Sequence, residues 1–408
     1  MIQRTLFREE HELFRATVRK FIDREIRPYH HQWEKDGVVP RELWLKAGEA
    51  GLLCCTIPEE YGGLGLDYLF DVVVFEELAR SGFTGPGSGF MVHADLVATY
   101  IRSFGTEEQK QTWLPRMVKG EAIGALGMTE PHAGSDLKNV RTRAVIDGDS
   151  YVINGQKVFI SNGQLCDVIV LATKTATDVG ASGITLFLVD ASLPGFKRGR
   201  ALPKLGMKAQ DTSELFFEDL RVPASAMLGQ EGGGFGIMMT KLAQERLAQT
   251  IRSAAVAEEV ISYTVDYVAQ REAFGKTIGD FQNTQFKLAE LKTEVVIGRV
   301  FTDRCIQLFM DGQLDAVDAA MAKMWLSNLH CKVVDECLQF FGGWGYMWEY
   351  PIARAYVDAR VVKIAGGAIE VMKHIIGRSL FEGKIAKKPA KSRSSAQNGK
   401  QVMPESGT

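Results

Sequence analysis

Apolar residues recur at helical spacing through the first 120 positions of the chain. From Glu9 to Glu34 they fall at Leu13, Val18, Phe21, Ile22 and Ile26, and shorter periodic segments follow at Arg41 to Ala50, Phe70 to Ala79 and Glu107 to Val118. Between them Ile57-Pro58-Glu59-Glu60-Tyr61-Gly62-Gly63-Leu64-Gly65 reads as a turn-rich loop. From Ala125 to about Pro223 the pattern changes to short strand-like runs: Arg143 to Ile146, Tyr151 to Ile153, Val168 to Leu171, Ile184 to Val189 and Glu214 to Phe217. Asp147-Gly148-Asp149 between the first two is a hairpin signal. A compact barrel or sandwich fits this stretch, and the lack of strand–helix alternation argues against a doubly wound dinucleotide fold.

After the glycine-rich loop Gly229 to Gly234, helical spacing returns in four long segments, 236 to 271, 281 to 310, 314 to 340 and 352 to 381, which predict an antiparallel bundle. Lys384 to Thr408 is rich in Lys, Ser, Gly, Pro and Gln, and is expected to be disordered. The expected architecture is mainly α with a small β domain: an N-terminal helical domain (1–124), a β domain (125–235), a helical bundle (236–383) and a tail (384–408).

Two glycine doublets interrupt the bundle pattern, in Phe341-Gly342-Gly343-Trp344-Gly345-Tyr346 and in Ala365-Gly366-Gly367-Ala368. Glycine lacks Cβ and leaves backbone N–H groups accessible, so these doublets point to close approach by a bulky group, most simply a cofactor. Composition narrows the partners. With 46% hydrophobic and 24% charged residues and a formal net charge of −2, the chain lacks the basic surplus that nucleic acid or an anionic membrane would require. Met1-Ile2-Gln3-Arg4 leads straight into a charged amphipathic pattern, and no window has the uncharged apolar length of a membrane span; a cytoplasmic location is expected. The six cysteines have no CxxC spacing and read as reduced thiols, while the seven histidines form no metal-ligand set.

Four separated motifs now add a family. Met128-Thr129-Glu130-Pro131-His132-Ala133-Gly134-Ser135-Asp136, Lys157-Val158-Phe159-Ile160-Ser161-Asn162-Gly163, Arg271-Glu272-Ala273-Phe274-Gly275 and Gln339-Phe340-Phe341-Gly342-Gly343 occur in the order found in the acyl-CoA dehydrogenase family. The chain resembles that family over about residues 5 to 383, most closely its long-chain and isovaleryl-CoA type. The resemblance implies an N-terminal helical domain, a middle β-barrel, a C-terminal four-helix bundle and bound FAD. Leu126, Met128, Thr129, Gly134 and Ser135 resemble the loop that meets the flavin edge and pyrophosphate. Phe159, Ile160 and Ser161 resemble the strand behind the ring, with Phe159 where many relatives carry Trp. Ala368 and Glu370 are also implied as cofactor contacts.

Arg271 resembles the pyrophosphate arginine, a role that suits a guanidinium fork. In the family this arginine, with the positions matching Gln282 and Gln339 to Gly343 (Gly342 and Gly343 among them), serves the FAD of a neighbouring subunit, so a homotetramer (dimer of dimers) is implied; Phe274 is implied as a further cofactor contact. Substrate contacts carry over to Ser135, Gly236, Gln244, Arg246, Gly366 and Gly367.

Taking a proton from the carbon beside a thioester carbonyl needs a carboxylate made more basic by an apolar pocket. Many relatives carry that Glu at the position of Gly366, where no side chain exists. The long-chain and isovaleryl type carries it on the first bundle helix, here Leu242-Ala243-Gln244-Glu245-Arg246-Leu247, so the resemblance makes Glu245 the base. Periodicity by itself puts Glu258 on the apolar stripe of Leu247, Ile251, Ala254, Ile261, Val265 and Val268, so Glu258 and Glu370 stand as alternatives. The Gly366 N–H is expected to stabilise the thioester oxygen.

Four positions depart from the family: Ala365 (usually Tyr), Ala368 (usually Thr), Phe341 (His in the long-chain type) and Gly236 (Tyr in that type). Loss of the Tyr and Thr groups implies a wider or more apolar pocket and a long, branched or bulky acyl group. The implied reaction takes an acyl-CoA to its trans-2-enoyl-CoA, with hydride passed to FAD and electrons then to an electron-transfer flavoprotein. The alternatives are an oxygen-using acyl-CoA oxidase or flavin monooxygenase of the same fold, and a non-catalytic acyl-CoA-binding paralogue.

Overall fold

A computed structural model describes residues 2–382 except Asp178; the tail at 384–408 lies outside the described residues. The N-terminal unit is helical: α1 (Glu9–Phe21), α2 (His30–Asp36), α3 (Arg41–Glu49), α4 (Tyr68–Arg80), α5 (Thr84–Met91), α6 (Ala98–Phe104) and α7 (Glu107–Val118). Glu9 to Glu34 is not one helix. α1 runs into a wider π-helical turn at Ile22–Ile26, and Pro28, which has no N–H to continue the ladder, precedes α2. Val18, Phe21, Ile22 and Ile26 are buried as expected, but Leu13 is exposed. The buried face of α1 is continued toward its N-terminus by Arg15 and His11 instead.

The reason is ionic. Glu76 of α4 is fully buried and accepts from Arg4 at 2.9 and 3.0 Å, Arg15 at 3.1 Å, and Arg299 at 2.8 Å. Burial would raise this carboxyl, but the guanidinium groups of Arg299, Arg4 and Arg15 outweigh it and hold Glu76 well below the carboxylate range. Arg299 also reaches Glu258 at 2.7 and 2.8 Å, so the network joins the N-terminal segment, α1 and α4 to the bundle.

The middle unit holds β1 (Gly124–Gly127), β2 (Arg143–Asp147), β3 (Ser150–Ser161), β4 (Val168–Lys174), β5 (Ile184–Asp190), β6 (Phe196–Ala201), β7 (Thr212–Pro223) and β8 (Met227–Leu228). The β2–β3 hairpin closes at Asp147↔Ser150, with Gly148 at φ 65°, as the Asp-Gly signal requires. The strands fall into two groups, β6-β7-β3-β2 and β1-β4-β5-β8, linked at the Arg143↔Lys174 pair. The hydrogen-bonded path ends at β6 and at β8, so the expected barrel is an open one.

β4 and β5 are buried on both faces. Ile169, Leu171, Phe187 and Val189 point into the β core, whereas Val168, Val170, Leu186 and Leu188 point into the helical-domain core. Side chains alternate along a strand, so a continuous apolar run is what a sheet covered on both sides requires.

The C-terminal unit contains α8 (Gly234–Gln270), the two-residue strands β9 (Glu272–Ala273) and β10 (Lys276–Thr277), α9 (Gln282–Met310), α10 (Ala316–Phe340), α11 (Pro351–Ala359) and α12 (Ile369–Leu380). The fourth expected helix, 352 to 381, is broken. A tight helical turn at Arg360–Lys363 leads into Ile364–Ala368, where Gly366 and Gly367 take φ 65° and 97°. Such left-handed backbone suits glycine and ends an α-helix. All six cysteines are free thiols. Among the described residues no helix is long and apolar enough to cross a membrane.

Replacing Glu76 by Gln leaves Arg4, Arg15 and Arg299 crowded without their shared anion. We expect a loss of about 3–5 kcal/mol, read as a lowered thermal melting midpoint at fixed protein and flavin concentration; an unchanged midpoint would assign the clamp to packing alone.

Candidate active site

The three units meet around a cavity of about 1310 Å³. Leu126 of β1, Met128, Thr129, Gly134 and Ser135 of the following loop, and Phe159, Ile160 and Ser161 of β3 form one wall. Glu245 of α8 and Ala365, Gly366, Gly367 and Ala368 of the broken helix form another.

The 128–135 loop is held from behind. Lys157 is buried and donates to the Met128 carbonyl at 3.1 Å and to Glu130 Oε1 at 2.7 Å, while Glu130 also accepts from the Arg141 and Thr142 amides at 2.6 and 3.0 Å. Burial would raise the Glu130 carboxyl, yet Lys157 and these donors outweigh it and hold the group below its ordinary value. The Val158 amide binds the Thr129 carbonyl at 3.0 Å, tying the loop to β3. β3 carries an irregularity between Lys157 and Ile160, where Phe159 adopts φ 61°. This bulge turns the Phe159 ring out of the sheet, 65% exposed, onto the cavity wall. Asn162 anchors the end of the strand by donating to the Gly89 and Gly124 carbonyls, both at 3.0 Å.

Glu245 faces the cavity from the fourth turn of α8 and makes no ion pair among the described residues; its Oε1 accepts from the Tyr100 hydroxyl at 3.1 Å. Burial pushes its carboxyl up to about 7, against the opposing effects of Tyr100, Arg246 and Lys241. Its neighbour Gln244 orients the helix, donating to Asp95 Oδ1 at 2.8 Å and to the Asp95 carbonyl at 3.1 Å. The alternative bases are placed differently. Glu258 is paired with Arg299 and Arg80; burial would raise it, but these partners hold it below its ordinary value. Glu370 is exposed and outside the cavity.

The Gly366 turn packs on the same part of α8. A Cβ at Gly366 would lie 3.3 Å from Cγ of Gln249, one helical turn beyond Glu245. Among the described residues the Gly366 N–H has no backbone acceptor. Buried Lys323 of α10 donates to the Gly367 carbonyl from behind and fixes the turn.

Other sequence candidates lie elsewhere. Gln244 is spent on Asp95, Arg246 is buried with Nη1 3.4 Å from the Ala316 carbonyl, and Gly236 is exposed at the start of α8. Arg271, Phe274, Gln282, Gln339, Gly342 and Gly343 are exposed and outside the cavity, with Phe274 96% exposed. Phe341 stacks on Tyr267, centroids 4.2 Å apart, within the bundle core. Tyr100, Asn162 and Lys323 escaped sequence reasoning. Tyr100 is hidden in an apolar run, but Lys323 is legible as a lone cation in Ala319-Ala320-Met321-Ala322-Lys323-Met324-Trp325-Leu326.

The cavity fits the expected flavin. It exceeds the roughly 300–1,000 Å³ of ordinary ligand sites, leaving room for a flat cofactor beside a second ligand. Its wall offers the projecting Phe159 ring and the Thr129, Ser135 and Ser161 hydroxyls.

Known proteins agree with this architecture. The chain matches the acyl-CoA dehydrogenase N-terminal domain over residues 8–121, the middle domain over 125–220 and the C-terminal domain over 232–381. It is 51% identical over 379 residues to the mitochondrial long-chain specific acyl-CoA dehydrogenase of Rattus norvegicus, covering 92% of this chain and 88% of that protein. The crystal structure of an acyl-CoA dehydrogenase from Geobacillus kaustophilus superposes with a TM-score of 0.90 at 49% identity, covering 93% of this chain and all (100%) of that one. A glutaryl-CoA dehydrogenase from Mycobacterium smegmatis, solved in complex with FADH2, gives 0.87 at 30% identity over 94% of this chain and 97% of that chain.

A raised carboxyl opposes folding as it ionises. Folded Glu245 keeps its proton up to about pH 7, whereas an unfolded one releases it near 4.5, so this group's contribution to stability falls as pH rises between those values. We therefore expect Glu245→Gln to melt higher than the parent above pH 7, with the gap closing toward pH 4.5. A gap independent of pH would contradict the raised carboxyl.

Proposed function

The chain belongs to the acyl-CoA dehydrogenase family, and from that membership we propose that Glu245 is the base that takes the α-proton of the acyl-CoA thioester. The protein is an FAD-dependent acyl-CoA dehydrogenase that forms trans-2-enoyl-CoA products. One observation carries the role of Glu245: it is a cavity-facing carboxylate with raised basicity, free of any cation pair among the described residues, beside the open Gly366 N–H.

The proton moves to a Glu245 carboxylate oxygen. The Tyr100 hydroxyl steadies the ionised form before transfer. The Gly366 N–H donates to the thioester oxygen as negative charge grows there, and Lys323 keeps that N–H in place through the Gly367 carbonyl. FAD, when bound, supplies the acceptor for the β-hydride. Thr129, Ser135, Phe159, Ile160 and Ser161, with Leu126, Met128, Gly134 and Ala368, would hold it within one subunit.

Arg271, Phe274, Gln282, Gln339, Gly342 and Gly343 would serve the FAD of a second copy in a homotetramer. Their exposure away from their own cavity supports that reading. The substrate carries a long or bulky acyl group, supported by the small side chains of Ala365 and Ala368 at the cavity wall. Electrons leave to an electron-transfer flavoprotein, a reading supported by family membership.

Anaerobic flavin bleaching against a panel of straight, branched and cyclic acyl-CoAs tests the proposal. Glu245→Gln should stay yellow and bind ligand, yet bleach about 10²–10⁴-fold more slowly; bleaching at the parental rate would reassign the base. The parental rate should rise with pH and level off above about 7, because the ionised carboxylate is the active form. Tyr100→Phe removes a donor to that form and should move the limb upward by about 0.5–1 pH unit. A limb that stays in place would show that the tyrosine does not act on the base.

A further inference from the structure

The cavity does not end at the reaction centre. It continues along α8 to Arg252 and Ser253, seven and eight residues beyond Glu245, or roughly 10–12 Å of helix. This distal arm is also lined by His330 of α10, Tyr263 and Thr84. An apolar acyl tail calls for apolar walls throughout, whereas here polar groups stand among Met91 and Val256.

Its polar groups are moreover short of partners. Ser253 Oγ, Tyr263 Oη and both ring nitrogens of His330 are buried without a hydrogen bond among the described residues. Ser253 and His330 are 1% and 4% exposed. Arg252, also buried, places Nη2 3.3 Å from the Thr84 carbonyl and Nη1 3.8 Å from Met91 Sδ, and forms no ion pair among the described residues. The nearby carboxylate of Asp358 is already engaged by the Thr84 hydroxyl and the Met207 amide. Burial lowers Arg252 to about 10, so it is a cation at neutral pH, and holds His330 near 3, so the imidazole is neutral.

Filling this arm with hydrocarbon would leave those donors buried without partners, which opposes binding of a plain acyl chain. An anionic oxygen acceptor would satisfy Arg252, Ser253 and His330, since a guanidinium, a hydroxyl and an imidazole N–H all donate to a carboxylate. We propose that the acyl group bears a second carboxylate at the end remote from the thioester, and that Arg252, Ser253 and His330 select it. The substrate class is then a dicarboxylic acid esterified to CoA at one end, its chain long enough to span two turns of α8. This rests on Glu245 marking the thioester end of the cavity.

The test compares thioesters of equal chain length with and without a terminal carboxylate, on the FAD-loaded protein. The carboxylated member should bleach the flavin with at least tenfold higher kcat/KM, carried by KM. Arg252→Leu should erase or reverse that ratio, and His330→Phe, a milder change, should reduce it. Should Arg252→Leu fail to fold, the ratio in the parent protein and in His330→Phe still decides. A parent that prefers the unsubstituted chain at every length, or a ratio that Arg252→Leu leaves unchanged, overturns the proposal. Calorimetric binding of the same pair to Glu245→Gln separates the two readings. If no thioester bleaches the flavin, the role of Glu245 falls. The distal arm then stands or falls on whether the carboxylated thioester binds at least tenfold tighter.

Discussion

The clamp around Glu76 is the interaction on which the rest of the molecule depends. A carboxylate with no exposed surface is tolerable only because Arg4, Arg15 and Arg299 reach it from three segments of the chain. That convergence fixes α1 and α4 against α9, and Arg299 and Arg80 extend it through Glu258 to α8. α8 in turn carries Glu245. Two glutamates therefore receive opposite treatment, fully buried Glu76 ringed by cations and held acidic, half-buried Glu245 left without an ion pair and made more basic. Keeping those roles apart is how one residue type serves both scaffold and chemistry.

The rest of the site shows the same economy of support. Lys157 and Glu130 hold the 128–135 loop from below, Asn162 pins the end of β3, and Lys323 fixes the Gly367 carbonyl. None of these groups lines the cavity, yet each sets the position of one that does. Removing the base from position 366 to α8 leaves the glycine turn intact as a donor of backbone N–H. A side chain at 366 would have to accept φ 65° and press on Gln249.

Much of this was legible in the sequence. The strands at Val168–Lys174 and Ile184–Asp190, the hairpin at Gly148 and the helix Glu107–Val118 follow from apolar runs, a turn dipeptide and helical spacing. β1, with two glycines in four residues, and β6, with its charged exposed face, gave no apolar signal. The break at Gly366 was visible as a doublet but not as the end of a helix, because the apolar period resumes beyond it. At the site, motif resemblance supplied Thr129, Ser135, Phe159 and Glu245, whereas periodicity favoured Glu258. Periodicity reports the inward face, and Glu258 turns that way, half-buried, to pair with Arg299. Tyr100 and the arm at Arg252 depend on contacts between segments far apart in sequence, which no local pattern encodes.

The two-faced sheet of β4 and β5 carries a consequence for how the chain reaches this state. These strands act as a party wall, one side finishing the helical core and the other the β core. Neither unit can close its interior without the other, so the two are expected to assemble and come apart as a single cooperative body despite being distinct in architecture. A fragment cut at the junction before β1 would leave Val168, Val170, Leu186 and Leu188 as a bare apolar stripe, the kind of surface that drives aggregation. The seam between the units is thus a shared interior, and insertions or truncations there would be tolerated far less well than in the loops around it.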